Sequence, residues 1–167
     1  MSSIGIFYGS STGNTKAVAE KIKSKLKNAD LKDISAVSKE DISAYDIIIL
    51  GASTWGLGDL QDDWEGMIDG FKALDLEGKK IAFFGTGDQE GYPDTFCDAV
   101  GLMYDAVKET KASCIGSWSP EGYSFDASKA LAGDDTQIGL LIDEDNQGDL
   151  TDERIEKWVS ILKEGIA

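Results

Sequence analysis

Short apolar runs alternate with helix-period segments along the chain, and that alternation restricts the fold more than any other feature of the sequence. Ile4 to Tyr8, Ile47 to Leu50, Ile81 to Phe84, and Cys114 to Ile115 with the later Leu140 to Ile142 are apolar stretches of strand length. Strands buried on both faces read as continuous runs of this kind. A weaker candidate surrounds Leu31 to Ile34. Between these runs, Val18, Ile22 and Leu26 recur at four-residue spacing, as do Val100, Tyr104 and Lys108 with Met103 and Val107 beside them. Ile155, Trp158, Val159 and Leu162 continue the pattern near the end, and each set marks one apolar helix face. Strand and helix in alternation predict an α/β fold, a parallel sheet covered by helices on both faces. Ser117 to Gln137, rich in turn residues and aromatics, breaks the alternation and reads as an excursion that interrupts the last strand.

No repeat or linker divides the chain, and its 167 residues suit one domain over 1–167. No apolar run approaches the roughly 20 residues of a bilayer span. Met1-Ser2-Ser3 enters the first strand without a secretory signature, so a cytoplasmic protein is expected. The chain has no histidine, and its cysteines, Cys97 and Cys114, form no C-x-x-C, which removes the usual zinc ligand patterns. A formal charge of −15 repels nucleic acid and anionic lipid and favours encounter with basic protein surfaces.

In an open parallel sheet, ligands gather at the carboxyl ends of the strands. The loops there are Gly9 to Thr15, Ala52 to Asp59, Gly85 to Pro93 and Asp143 to Gly148. The first contains Ser10, Ser11, Thr12, Gly13, Asn14 and Thr15, with no cation. Amides in a helix's first turn and its positive dipole end can bind a phosphate without a charged side chain; the lesser alternative is that Ser11 or Thr12 merely caps the helix. Asn14 after Gly13 rules out the Lys-bearing nucleotide loop, and no G-x-G-x-x-G follows the first strand. The lone Arg154 stands far from either cysteine, against a Cys-based phosphatase loop, and Gly9-Ser10 and Gly51-Ala52 occupy the positions where a phosphorelay receiver carries acids. Asp143, Asp145 and Gly148 imitate a calcium loop, but Gln147 and Arg154 stand where ligands are required. Trp55 and Tyr92, on separate loops at the same sheet edge, could clamp a planar ring or pack locally as lids.

The ordered set GSSTGNT, STWGLGD, GTGDQEGYPDTFCDA, GSWSPEGYSF and LIDEDNQ resembles the flavodoxin family, long-chain type, over essentially the whole chain. The resemblance implies a three-layer α/β/α fold with a five-stranded parallel sheet in the order 2-1-3-4-5 and an insertion splitting the last strand. It implies non-covalent FMN and no catalytic residues: a low-potential one-electron carrier using the semiquinone/hydroquinone couple. Its partners would be a photosystem-type donor or basic-faced redox proteins such as ferredoxin/flavodoxin-NADP reductase, together with electron-accepting oxidoreductases, and the carrier itself would be a monomer. The phosphate would fall to Ser10, Ser11, Thr12, Gly13, Asn14 and Thr15, with Ser53 and Thr54 nearby. Trp55 and Tyr92 would flank the isoalloxazine. Gly56, Leu57, Gly58, Thr86, Gly87, Asp88, Thr95, Phe96 and Cys97 would border the ring, largely through backbone groups, and Asp145 would reach the ribityl chain. Gly56 would let the following peptide turn toward flavin N5 on reduction. The rival in the same fold class is an FMN-dependent NAD(P)H:quinone oxidoreductase, which would need open space over the ring.

Overall fold

The computed structural model describes residues 3–9, 14–55, 59–60, 62–132 and 136–166. Its sheet is built from β1 (Ile4–Gly9), β2 (Ala29–Asp33), β3 (Ile47–Trp55), β5 (Lys80–Thr86), β6 (Ser113–Cys114) and β7 (Leu140–Ile142), with a two-residue β4 (Asp59–Leu60) antiparallel to β3. The parallel strands run β2-β1-β3-β5, and both β6 and β7 pair with β5. β6 pairs at Lys80 and Ile81 and β7 at Phe84, Gly85 and Thr86, so the two are halves of one fifth strand. The expected order 2-1-3-4-5 is therefore the observed one, with the excursion leaving and rejoining the same edge.

Helices α1 (Asn14–Lys25), α2 (Lys39–Ser43), α3 (Asp62–Phe71), α4 (Asp98–Val107), α5 (Glu144–Gln147) and α6 (Thr151–Ile166) complete the chain. Side chains alternate across the strands and divide the interior into two layers. Ile4, Ile6, Ile47, Ile49, Ala82 and Phe84 face Val18 and Ile22 of α1 and Ile155, Trp158 and Leu162 of α6. Phe7, Ile48, Leu50, Ile81 and Phe83 face Trp64 and Phe71 of α3 and Val100 and Met103 of α4. The helix period continues slightly beyond two helices: Leu26 is buried just past the end of α1, and Lys108 is exposed in a 3₁₀ turn after α4.

A buried tryptophan pins a helix on each side of the sheet. Trp64 Nε1 donates to the Gly51 carbonyl at 2.8 Å, and Trp158 Nε1 donates to the Gly116 carbonyl at 2.7 Å. Gly51 must be glycine because a Cβ there would lie 2.0 Å from the Phe84 ring. No helix among the described residues is long and apolar enough to cross a membrane.

Candidate functional site

The carboxyl ends of β1, β3 and β5 converge beside the start of α1. Ser53 and Thr86 are register partners, so their side chains leave the sheet on the same face, the one that packs α1. Thr15, buried in the first turn of α1, shares a 2.8 Å hydrogen bond between its hydroxyl and that of Thr86. Ser53 Oγ is buried and has no hydrogen-bond partner among the described residues. Three hydroxyls thus line the floor of this edge beside the first turn of α1. Ser10, Ser11, Thr12, Gly13, Gly56, Leu57 and Gly58 lie outside the described residues, as does the side chain of Trp55.

Thr54 leaves β3 on the opposite face. Its Oγ1 accepts the Ala99 N–H at 3.0 Å in the first turn of α4, and the hydroxyl keeps its own proton to donate. Thr54, Gly87, Asp88, Tyr92, Thr95, Phe96 and Cys97 line one narrow cleft. Tyr92 stands 46% exposed at its mouth, whereas Phe96 and Cys97 are buried at its base. A Cβ at Gly87 would come within 3.0 Å of Cys97 Sγ and 3.1 Å of the Cys97 nitrogen, so this turn passes the start of α4 too closely for a side chain. Cys97 itself caps α4 in the left-handed region at φ 52°, a conformation costly for a residue with a Cβ. Burial pushes its thiol well above the ordinary cysteine range, with the nearby Asp143 and Asp98 charges adding to the effect. Cys97 therefore contributes its backbone conformation, and its thiol stays protonated.

The loop after β5 is organised by carboxylates. Asp88 accepts the Gly91 N–H at 2.7 Å, the Glu90 N–H at 3.1 Å and the Asn146 side-chain amide at 2.8 Å. The Gly91 bond, then the Asn146 bond, holds its carboxyl below the usual range. Asp143, buried at the end of β7, accepts the Gln89 and Asn146 backbone N–H groups and also the Asn146 side chain, capping α5. These bonds occupy the acid that begins the calcium-like stretch. Asp145 is exposed, and its neighbour Asn146 makes the link across to Asp88. The sequence reading passed over Asn146 and Gln89; the Asp143-to-Asn146 capping spacing was the available signal. A hollow of about 370 Å³ between Ile4, Leu26, Lys163 and Ile166 lies at the opposite end of the strands, away from the strand ends that carry this chemistry.

A parallel sheet of this order, with a cation-free hydroxyl floor and a loop cleft at its carboxyl edge, defines a flavodoxin-like nucleotide-binding domain. The flavodoxin family pattern matches residues 6–158, and the chain belongs to the flavodoxin family. It is 48% identical over 166 residues to a flavodoxin of Klebsiella pneumoniae, covering 98% of this chain and 94% of that one. Against a flavodoxin of Synechococcus elongatus the identity is 45%, covering 98% and 97%. Among solved structures, Fusobacterium nucleatum flavodoxin bound to flavin mononucleotide superposes with a TM-score of 0.93 at 28% identity, covering 99% of each chain.

Proposed function

We infer that this protein binds FMN at the carboxyl edge of the sheet and carries electrons between redox proteins. Flavodoxins are electron carriers rather than enzymes. The observation that carries the reading is the buried Ser53 hydroxyl, unpartnered among the described residues, beside the Thr15–Thr86 pair. A buried hydroxyl without a partner is costly, and a phosphoryl group seated at the adjacent helix start would accept its proton. The Gly87 turn, packed on the start of α4 too closely for a side chain, lines the same narrow cleft as Tyr92, where a flat ring would lie against backbone.

Bound FMN would supply one-electron chemistry, and the protein would set its potential and surroundings. Ser10, Ser11, Thr12, Gly13, Asn14 and Thr15 would hold the phosphate, Trp55 and Tyr92 the ring faces, and residues 56–58 and 86–97 the ring edge. The formal charge of −15 disfavours adding a further negative charge to the ring, which lowers its potential. The same charge would steer the carrier onto basic faces of a reductase and of electron acceptors.

The direct test is to purify the protein, strip it, and titrate it with FMN while following flavin fluorescence. A yellow protein whose stripped form quenches FMN at one equivalent is expected. A colourless protein that leaves FMN fluorescence unchanged would refute the assignment.

A further inference from the structure

Arg154 is the only arginine in the chain, and it is buried, 7% exposed, on the first turns of α6. Among the described residues it forms no ion pair. Its guanidinium instead donates to Gln147 Oε1 at 2.7 Å and to the Gly122 carbonyl at 3.4 Å, and it stacks over the Tyr123 ring at 4.0 Å. A buried cation held only by neutral acceptors and a ring is an expensive choice for a helix surface, and the planar fork is what lets one side chain reach all three.

Two routes lead from Arg154 to the loop of the candidate site. Through α5, Gln147 is fixed between Arg154 and the Gly122 carbonyl, and the preceding Asn146 reaches Asp88 and Asp143. Through the excursion, Tyr123 lies against Phe96 with ring centroids 6.0 Å apart and donates its hydroxyl to the Leu141 carbonyl, while the Ser124 N–H holds Gln89 Oε1 at 2.6 Å. Asp88, Gln89 and Phe96 are thereby tied to one guanidinium that touches none of them.

We propose that Arg154 is a positioning residue for the ring end of the flavin site, clamping α5 and the excursion so that residues 88–97 keep their shape. The proposal rests on the FMN assignment above. It separates the two ends of the ligand, because the hydroxyl floor under the phosphate has no link to Arg154 in this network.

The test compares wild type, Arg154→Met and Arg154→Lys by binding of FMN and of riboflavin, which lacks the phosphate, and by the midpoint potentials of the two one-electron steps. Arg154→Met should weaken FMN and riboflavin by the same factor, about tenfold, the scale of one charge-assisted hydrogen bond. Arg154→Lys should fail to restore it, since an ammonium has no planar fork, and both variants should shift the potentials. Unchanged flavin affinities, full rescue by lysine, or a loss confined to FMN would each overturn the proposal. So would lowered apoprotein stability with both potentials unmoved. If Arg154→Met does not fold, Gln147→Met on the half-buried relay residue should give the same paired loss, and its absence counts equally against the clamp. A wild-type protein that binds neither flavin would defeat the FMN assignment itself, an outcome distinct from all of these.

Discussion

Replacing Trp64 by phenylalanine tests how α3 is fixed to the sheet. The indole is fully buried, lies 5.8 Å from the Phe71 ring and makes a 2.8 Å hydrogen bond to the Gly51 carbonyl. Phenylalanine keeps a ring in the pocket but removes the N–H, a loss of about 1 kcal/mol. It also leaves a void of roughly 40 Å³, which at about 24 cal/mol per Å³ adds about 1 kcal/mol. Gly51 cannot shift to compensate, because the Phe84 ring lies against its other side. The total of about 2 kcal/mol, with a urea dependence of about 2 kcal/mol/M, lowers the unfolding midpoint of the apoprotein by about 1 M. The transition should be followed by far-UV circular dichroism, since the substitution removes a fluorophore. A shift below about 0.2 M would show that the indole bond and its packing do not anchor α3, and the reasoning would fail.

Gly87→Ala should weaken FMN binding while leaving the apoprotein folded, because the added methyl pushes on Cys97 at 3.0 to 3.1 Å; flavin titration of the variant checks it, and unchanged affinity would refute the close-approach argument. Asp98 has its carboxyl pushed up by burial, more than the Lys129 N–H bond pulls it down, so its ionisation opposes folding. The folded pKa lies above the unfolded one, so its stabilising contribution is complete below pH about 4 and is lost as pH rises through the folded value. Asp98→Asn should therefore be as stable as or more stable than wild type at pH 7, with the difference shrinking toward pH 4 in denaturant titrations. Tyr45 is pushed up to about 12 by its hydrogen bond to Asp30, so the stability it adds is lost as pH rises from about 10 through 12, and Tyr45→Phe should flatten that part of the alkaline profile. Iodoacetamide on the folded protein should label Cys114 alone, and both cysteines after unfolding; labelling of native Cys97 would contradict its burial.

The central strands were legible because burial on both faces favours unbroken apolar runs: β1, β3 and β5 contain the runs read from the sequence, although β3 continues through Trp55 and β5 through Thr86, residues assigned to the following loops. β2 was faint because it is an edge strand whose residues alternate between buried and exposed. α3 gave little signal, since Asp62–Phe71 combines acids with Gly66 and Gly70 and is held by Trp64 and Phe71 rather than by a regular apolar stripe. At the site, the loops at the strand ends and their hydroxyls could be read directly. The left-handed Cys97 could not, because glycine is the residue that usually signals that conformation. The links from Arg154 to Gly122 and from Asn146 to Asp88 join residues 32 and 58 apart in sequence, and no local pattern reports them.

The divided fifth strand also bears on the order in which the sheet closes. β7 must return to β5 across residues 115–139, a loop of about 25 residues whose length-dependent entropy is roughly 3 kcal/mol, and three register partners on β5 receive it. That border is cheaper to open than the long central pairings, and amides of Leu140 to Ile142 should exchange with deuterium ahead of those in β1 and β3. A ligand gripped between Thr86, Cys97 and α5 would stitch the border shut, so flavin loading should slow exchange there most of all.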